Sequence, residues 1–176
     1  MLAIIFNIYF YNFYIYKYIF LDYTEFKSGS SHPVSSIERG KKHRMNQIII
    51  AAHGRLASGM KETLEFFGAR NIVILEQTVQ ESGFEAKVEK ILQQYAGQNC
   101  IVFTDLYGGS VNQIFFKNLR NYSFHLITGM NLAMILECVF TETDLDGLHL
   151  KEIIANACRQ TCYMNDLLLH CGEEDD

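Results

Sequence analysis

The chain has 176 residues, 49% hydrophobic and 20% charged, a balance that describes one globular domain with an appendage and excludes a disordered, collagenous or fibrous protein. Its net charge of −5 divides unevenly: residues 1–44 hold six Lys and Arg against three Asp and Glu, and the remainder holds nine against seventeen. That acidic remainder argues against nonspecific nucleic-acid binding, which needs a basic surface to displace counterions.

Met1–Leu21 reads MLAIIFNIYFYNFYIYKYIFL, an apolar, tyrosine-rich run as long as the roughly 20 residues that cross a bilayer as a helix. Its eleven Leu, Ile and Phe would offset the off-centre Lys17, and Lys27, Arg39, Lys41, Lys42 and Arg44 would hold the following domain on the cytoplasmic side. Yet Ile, Phe, Tyr, Asn and Lys are the residues that AT-rich noncoding DNA yields when translated. Glu38-Arg39-Gly40-Lys41-Lys42 would likewise come from a purine-rich stretch resembling a bacterial ribosome-binding site, a few codons before Met45. We read residues 1–44 as a hydrophobic segment plus a linker, Ser28–Ser36, ahead of a true start at Met45; a membrane anchor is the alternative. A signal peptide would need a basic start and a small-residue cleavage site, and neither is present.

From Met45 onward short apolar runs alternate with amphipathic stretches. Gln47–Ala52, Asn71–Glu76, Cys100–Thr104 and Phe124–Thr128 are rich in β-branched residues and read as buried strands. Between them, Leu56, Met60, Leu64 and Phe67 recur at helical spacing, as do Phe84, Val88, Ile91, Leu92 and Tyr95. Val111–Leu119 and Leu132–Phe140 predict shorter helices. Leu150 to about Leu168 predicts a longer one, with Ile153, Ile154, Ala157, Met164 and Leu167 on its apolar stripe. The order predicts an α/β, doubly wound, mainly parallel four-stranded sheet with helices on both faces. Ligands of such sheets sit beyond the carboxyl ends of the strands.

Two strand ends carry chemistry. The first runs into His53-Gly54, and the third into Asp105-Leu106-Tyr107-Gly108-Gly109-Ser110 before a helix. If those strands are neighbours, the imidazole and the carboxylate meet. Ser110 would cap the helix, whose free amides and positive dipole end, with the Gly108-Gly109 pair, form an anion cradle. Each piece alone also fits a structural histidine or a plain turn. Together they describe a phosphohistidine site: a neutral imidazole attacks phosphorus, a carboxylate on its other nitrogen fixes the tautomer, and a hydroxyl with N–H groups receives the phosphoryl oxygens.

On these residues, with Thr128-Gly129-Met130-Asn131-Leu132 introducing the next helix, Gln47–Leu169 resembles the enzyme IIA domain of the mannose family of the bacterial sugar phosphotransferase system. The resemblance implies a domain over 45–170, phosphorylation of His53, orientation by Asp105, and phosphate binding by Gly108, Gly109 and Ser110. It also implies HPr as donor, a IIB subunit as acceptor, a cytoplasmic homodimer with a carboxyl-terminal edge strand exchanged near Leu167–Cys171, and contact with the membrane only through IIC and IID subunits. No cofactor and no metal are implied. Tyr107 falls where the family often carries an aromatic. The family's frequent proline after the serine is replaced by Val111, a position that tolerates proline without requiring it. The phosphotransferase subunit of a dihydroxyacetone kinase and a phosphorylation-dependent regulatory module are the alternatives.

Arg55, two residues past His53, suits either a partner contact or a solvated surface. Cys158 and Cys162, with His170 and Cys171 beyond, lack a Cys-x-x-Cys knuckle and read as reduced, mostly buried thiols rather than zinc ligands. His125, His149 and Cys100 read as structural, and residues 171–176 as an acidic tail.

Overall fold

In the computed structural model, residues 46–79 and 82–165 are described. The amino-terminal segment, the stretch Leu167–Cys171 where an exchanged edge strand is expected, and the acidic tail lie outside them. The elements are β1 (Gln47–His53), α1 (Leu56–Phe66), β2 (Val73–Gln77), α2 (Phe84–Gln94), β3 (Cys100–Thr104), α3 (Ser110–Asn118), β4 (His125–Thr128), α4 (Leu132–Phe140) and α5 (Gly147–Cys158). Among the described residues no helix is long and apolar enough to cross a membrane.

All four strands are parallel in the order β2-β1-β3-β4, as the alternation of runs predicts. The period-2 alternation of a strand sends neighbouring side chains to opposite faces, and two cores result. Ile48, Ile50, Ala52, Ile101 and Phe103 pack with Leu64 of α1, Ile135 of α4 and Ile153 of α5. Ile49, Ala51 and Val102 pack with Val88 of α2 and Phe115 of α3. Helices therefore cover both faces, and sheets of this kind take ligands at the carboxyl edge where the strand order reverses, here where β1 and β3 lie side by side. At the opposite edge the Asn46 amide donates to the carbonyls of Thr141 and Thr143 and accepts from Leu145 N and Asn99 Nδ2, tying the start of β1 to the α4–α5 loop.

The last helix differs from the expected one at both ends. It begins at Gly147 because Asp146 caps it, its Oδ1 accepting from the amides of Leu148 and His149. It stops at Cys158, where Gln160 N and Thr161 N turn back onto the carbonyls of Ala157 and Cys158. The apolar stripe ends there. Ile153 and Ala157 are buried, but Met164, assigned to that stripe, is exposed, so among the described residues nothing draws a continuous helix past Arg159; Leu167 lies outside them.

Candidate active site

β1 is buried from Ile48 to Ala52 and emerges at His53. Gly54 follows at φ +59°, the left-handed region in which glycine carries no Cβ penalty, so the chain turns sharply into α1 and leaves the imidazole at the sheet edge. The register aligns Ala51 with Thr104 of β3, so Asp105 follows level with Ala52 and its side chain reaches His53. Asp105 Oδ2 accepts from both the His53 amide and His53 Nδ1, each at 2.8 Å, and Oδ1 accepts from Leu106 N at 2.8 Å. Partial burial alone would push the Asp105 carboxyl up. The His53 amide, the His53 ring, the Leu106 amide and the imidazole's charge together outweigh it and hold the carboxyl below its ordinary value. Asp105 is therefore an ionised acceptor at neutral pH, and Nδ1 carries the proton.

The other ring nitrogen, Nε2, faces Ser110 Oγ at 2.9 Å. Here the local expectation is corrected. The cap position of α3 is Gly109, Ser110 is the first helical residue, and its hydroxyl makes no capping bond. It donates instead to Gln77 Oε1 at 2.7 Å. Partners supplied by β1 and β2 occupy the hydroxyl that residue preference alone assigns to the helix end.

The two glycines differ. Gly108 takes φ +72° with open space where a side chain would stand. Its N–H donates to Asn112 Oδ1 and its carbonyl accepts from Gln113 Nε2, so it shapes the loop with both polar groups engaged. Gly109 is needed for room: a Cβ there would stand 3.2 Å from Leu106 O and 3.3 Å from His53 Cε1. The backbone thus lies directly against the imidazole. The helix that begins at Ser110 starts beside the ring, and the first amides of any helix lack intrahelical acceptors.

Two residues not singled out in the sequence belong here. Gln77 ends β2 in register with His53, and its carbonyl accepts from Gly54 N at 2.9 Å. Asn112 is buried on α3 and bridges loop and sheet, with Nδ2 donating to Thr104 Oγ1 at 3.1 Å. The rule that pointed to β1 and β3, inspection of strand ends, would have found Gln77 had it been applied to β2. A groove of about 410 Å³ opens beside Ser110, bounded by Gln77, Phe84, Gln113, Ile114 and Lys117.

Tyr107 and Leu106 project from the loop and are largely exposed. Arg55 is exposed at the start of α1. Its charge acts on Glu76, whose carboxyl is held low first by hydrogen bonds from Ser58 and then, against some burial, by Arg55. Among the described residues no group of three or more His, Cys, Asp and Glu could hold a metal ion; His170 and Cys171 lie outside them. The thiols are corrected in part: Cys100 and Cys138 are buried, and burial pushes Cys138 up to about 12, but Cys158 and Cys162 are exposed.

A parallel sheet that brings a histidine, its carboxylate and a helix start to one edge defines a class of group-transfer domain, and comparison with known proteins assigns it. Residues 47–158 match the family model EIIA-man, described as the PTS system fructose IIA component. Three solved structures are similar. A mannose/sorbose-specific IIA subunit from Enterococcus faecalis is 20% identical at a TM-score of 0.63, covering 67% of this chain and 93% of its own. A PTS IIA protein associated with the fucose utilization operon of Streptococcus pneumoniae is 26% identical at 0.62, covering 70% and 96%. A protein assigned as a phosphoenolpyruvate-dependent sugar phosphotransferase system permease from Klebsiella pneumoniae is 28% identical at 0.66, covering 74% and 99%. A search of curated proteins gave no match. The chain belongs to the EIIA-man family and is a IIA-type component of the sugar phosphotransferase system.

Proposed function

We propose that this chain is a phosphoryl carrier that accepts phosphate from HPr on His53 Nε2 and passes it to a IIB subunit during sugar uptake. The observation that carries the reading is the division of labour on one imidazole: Nδ1 is committed to Asp105, and Nε2 faces Ser110 at the start of α3. In the first transfer the P–N bond of the donor's phosphohistidine breaks as a P–N bond to Nε2 forms. The Nδ1 proton stays in place against Asp105, which stabilises the cationic ring as phosphorus arrives. The Ser110 hydroxyl and the first amides of α3 would receive the equatorial oxygens. Positioning supplies the rest of the rate, with no cofactor and no metal.

The groove beside Ser110 supports access by a partner protein, with Tyr107 and Arg55 as rim contacts. We read the domain as residues 45–170, acting in the cytoplasm as a homodimer, with no nucleic-acid partner and the membrane reached only through IIC and IID subunits. The relatives' descriptions name fructose, mannose or sorbose, and fucose, which suits a carrier that leaves sugar selection to other subunits. Incubation with labelled phosphoenolpyruvate, enzyme I and HPr tests the reading: the wild-type chain takes up label and His53→Ala does not. Equal labelling of both would overturn it.

A further inference from the structure

We propose that Gln77 is a positioning residue that keeps the Ser110 hydroxyl from donating to His53 Nε2, leaving the nucleophile's lone pair unblocked. The inference rests on the proposed use of Nε2 but stands on the hydrogen-bond inventory of four side chains. Ser110 has one hydroxyl proton. Its oxygen lies 2.7 Å from Gln77 Oε1 and 2.9 Å from His53 Nε2. A carbonyl oxygen only accepts, so the short contact with Gln77 requires the proton to point away from the ring. Asp105 also only accepts when ionised, and it receives two bonds from His53 and one from Leu106. Nδ1 must therefore carry a proton, and the neutral ring has its free pair on Nε2. That pair faces the lone pairs of Ser110 Oγ rather than its proton. The contact is a hydrogen bond only while Nε2 is itself protonated from solvent, to which the His53 side chain is 43% exposed.

Without Gln77 the hydroxyl would turn to the nearest remaining acceptor, Nε2, and tie up the electron pair that must attack phosphorus. With Gln77, the same hydroxyl is parked beside the ring, free to swing onto a phosphoryl oxygen as that group arrives. The position of Gln77 is set by the sheet and not by a loop: β1 and β2 pair His53 with Gln77, and the Gly54 amide bonds the Gln77 carbonyl. The side chain thus reaches across β1 from a rigid neighbour to the first residue of α3, the kind of support that holds a reacting group within a few tenths of an ångström.

The test is ¹⁵N NMR of the ring nitrogens in the unphosphorylated full chain, at a pH where the ring is neutral. In Gln77→Leu the Nε2 resonance shifts upfield, because the hydroxyl now donates to it, and the Nδ1–H signal against Asp105 is unchanged. Gln77→Glu keeps an acceptor at the same place and retains the wild-type Nε2 position. In a Ser110→Ala background Gln77→Leu produces no shift. An Nε2 resonance identical in wild type and Gln77→Leu, or a shift that persists without the Ser110 hydroxyl, would overturn the proposal. Should Gln77→Leu fail to fold, Gln77→Met provides the same comparison. None of these spectra involves HPr or phosphate, so a failure here is separate from a failure of the labelling experiment.

Discussion

Gly109→Ala separates the need for room from the need for a special backbone. Gly109 sits at φ −65° and ψ 164°, an extended conformation that alanine adopts freely, so backbone strain contributes nothing. The added Cβ meets His53 Cε1 at 3.3 Å and Leu106 O at 3.2 Å, inside the separation of about 3.5 to 4.0 Å at which carbon contacts are favourable. The neutral ring is held by its 2.8 Å bond from Nδ1 to Asp105, and the loop carbonyl is backbone, so the imidazole yields by a few tenths of an ångström. That displacement lengthens the bond to Asp105. Weakening a charge-assisted bond worth about 1.5–3 kcal/mol by a part of its value costs on the order of 1 kcal/mol, equivalent to a roughly fivefold slower transfer. Initial rates of phosphoryl uptake from phosphorylated HPr measure it, with a melting curve alongside. Gly108→Ala is the contrast: with no atom near the new Cβ but φ at +72°, it costs about 1–2 kcal/mol of stability and little rate once folded. A Gly109→Ala protein with the wild-type rate and unmoved His53 ring resonances would refute the claim that the loop backbone positions the imidazole.

Asp105→Asn removes the charge that receives three donors, lowering unfolding free energy by about 1–3 kcal/mol at neutral pH and slowing transfer. Because the folded-state carboxyl lies below its ordinary value, the wild-type advantage is complete above about pH 4 and fades as pH falls through the folded value; urea melts at pH 7 and in acid that show the same gap would contradict this. Asn112→Ala leaves the Gly108 amide without its acceptor and Thr104 Oγ1 without the donor Asn112 Nδ2, though its hydroxyl still donates to Ile127 O, costing about 1–3 kcal/mol, and should speed hydrogen exchange at Gly108; a wild-type melting temperature would count against the bridge. Truncation after Asn165 should convert the proposed homodimer to monomer by light scattering, and a chain still dimeric at the same concentration would exclude the exchanged tail as the link.

The sheet was legible because buried parallel strands are short β-branched runs, and Ile48–Ala52 and Ile101–Phe103 leave little else for the chain to do. His53, Asp105 and Ser110 were legible as a set because strand ends concentrate chemistry. What escaped was contact between elements. Asn71 takes a left-handed turn at φ 59°, so β2 starts later than its apolar pattern indicates, and pairing with β1 extends it one residue further, with Gln77 in line with His53. Ser110 has the residue type of a cap, but two acceptor-bearing strands compete for its hydroxyl, and their proximity exists only in the folded sheet. Asn112 reads as an ordinary polar helix residue until β3 brings Thr104 beneath it.

The most direct measurement is ³¹P and ¹⁵N NMR of the ¹⁵N-labelled chain after phosphorylation through HPr. A single phosphoramidate coupled to His53 Nε2, with Nδ1 still protonated against Asp105, is the predicted result. Phosphate on His53 Nδ1, or on another histidine such as His125 or His149, would contradict it.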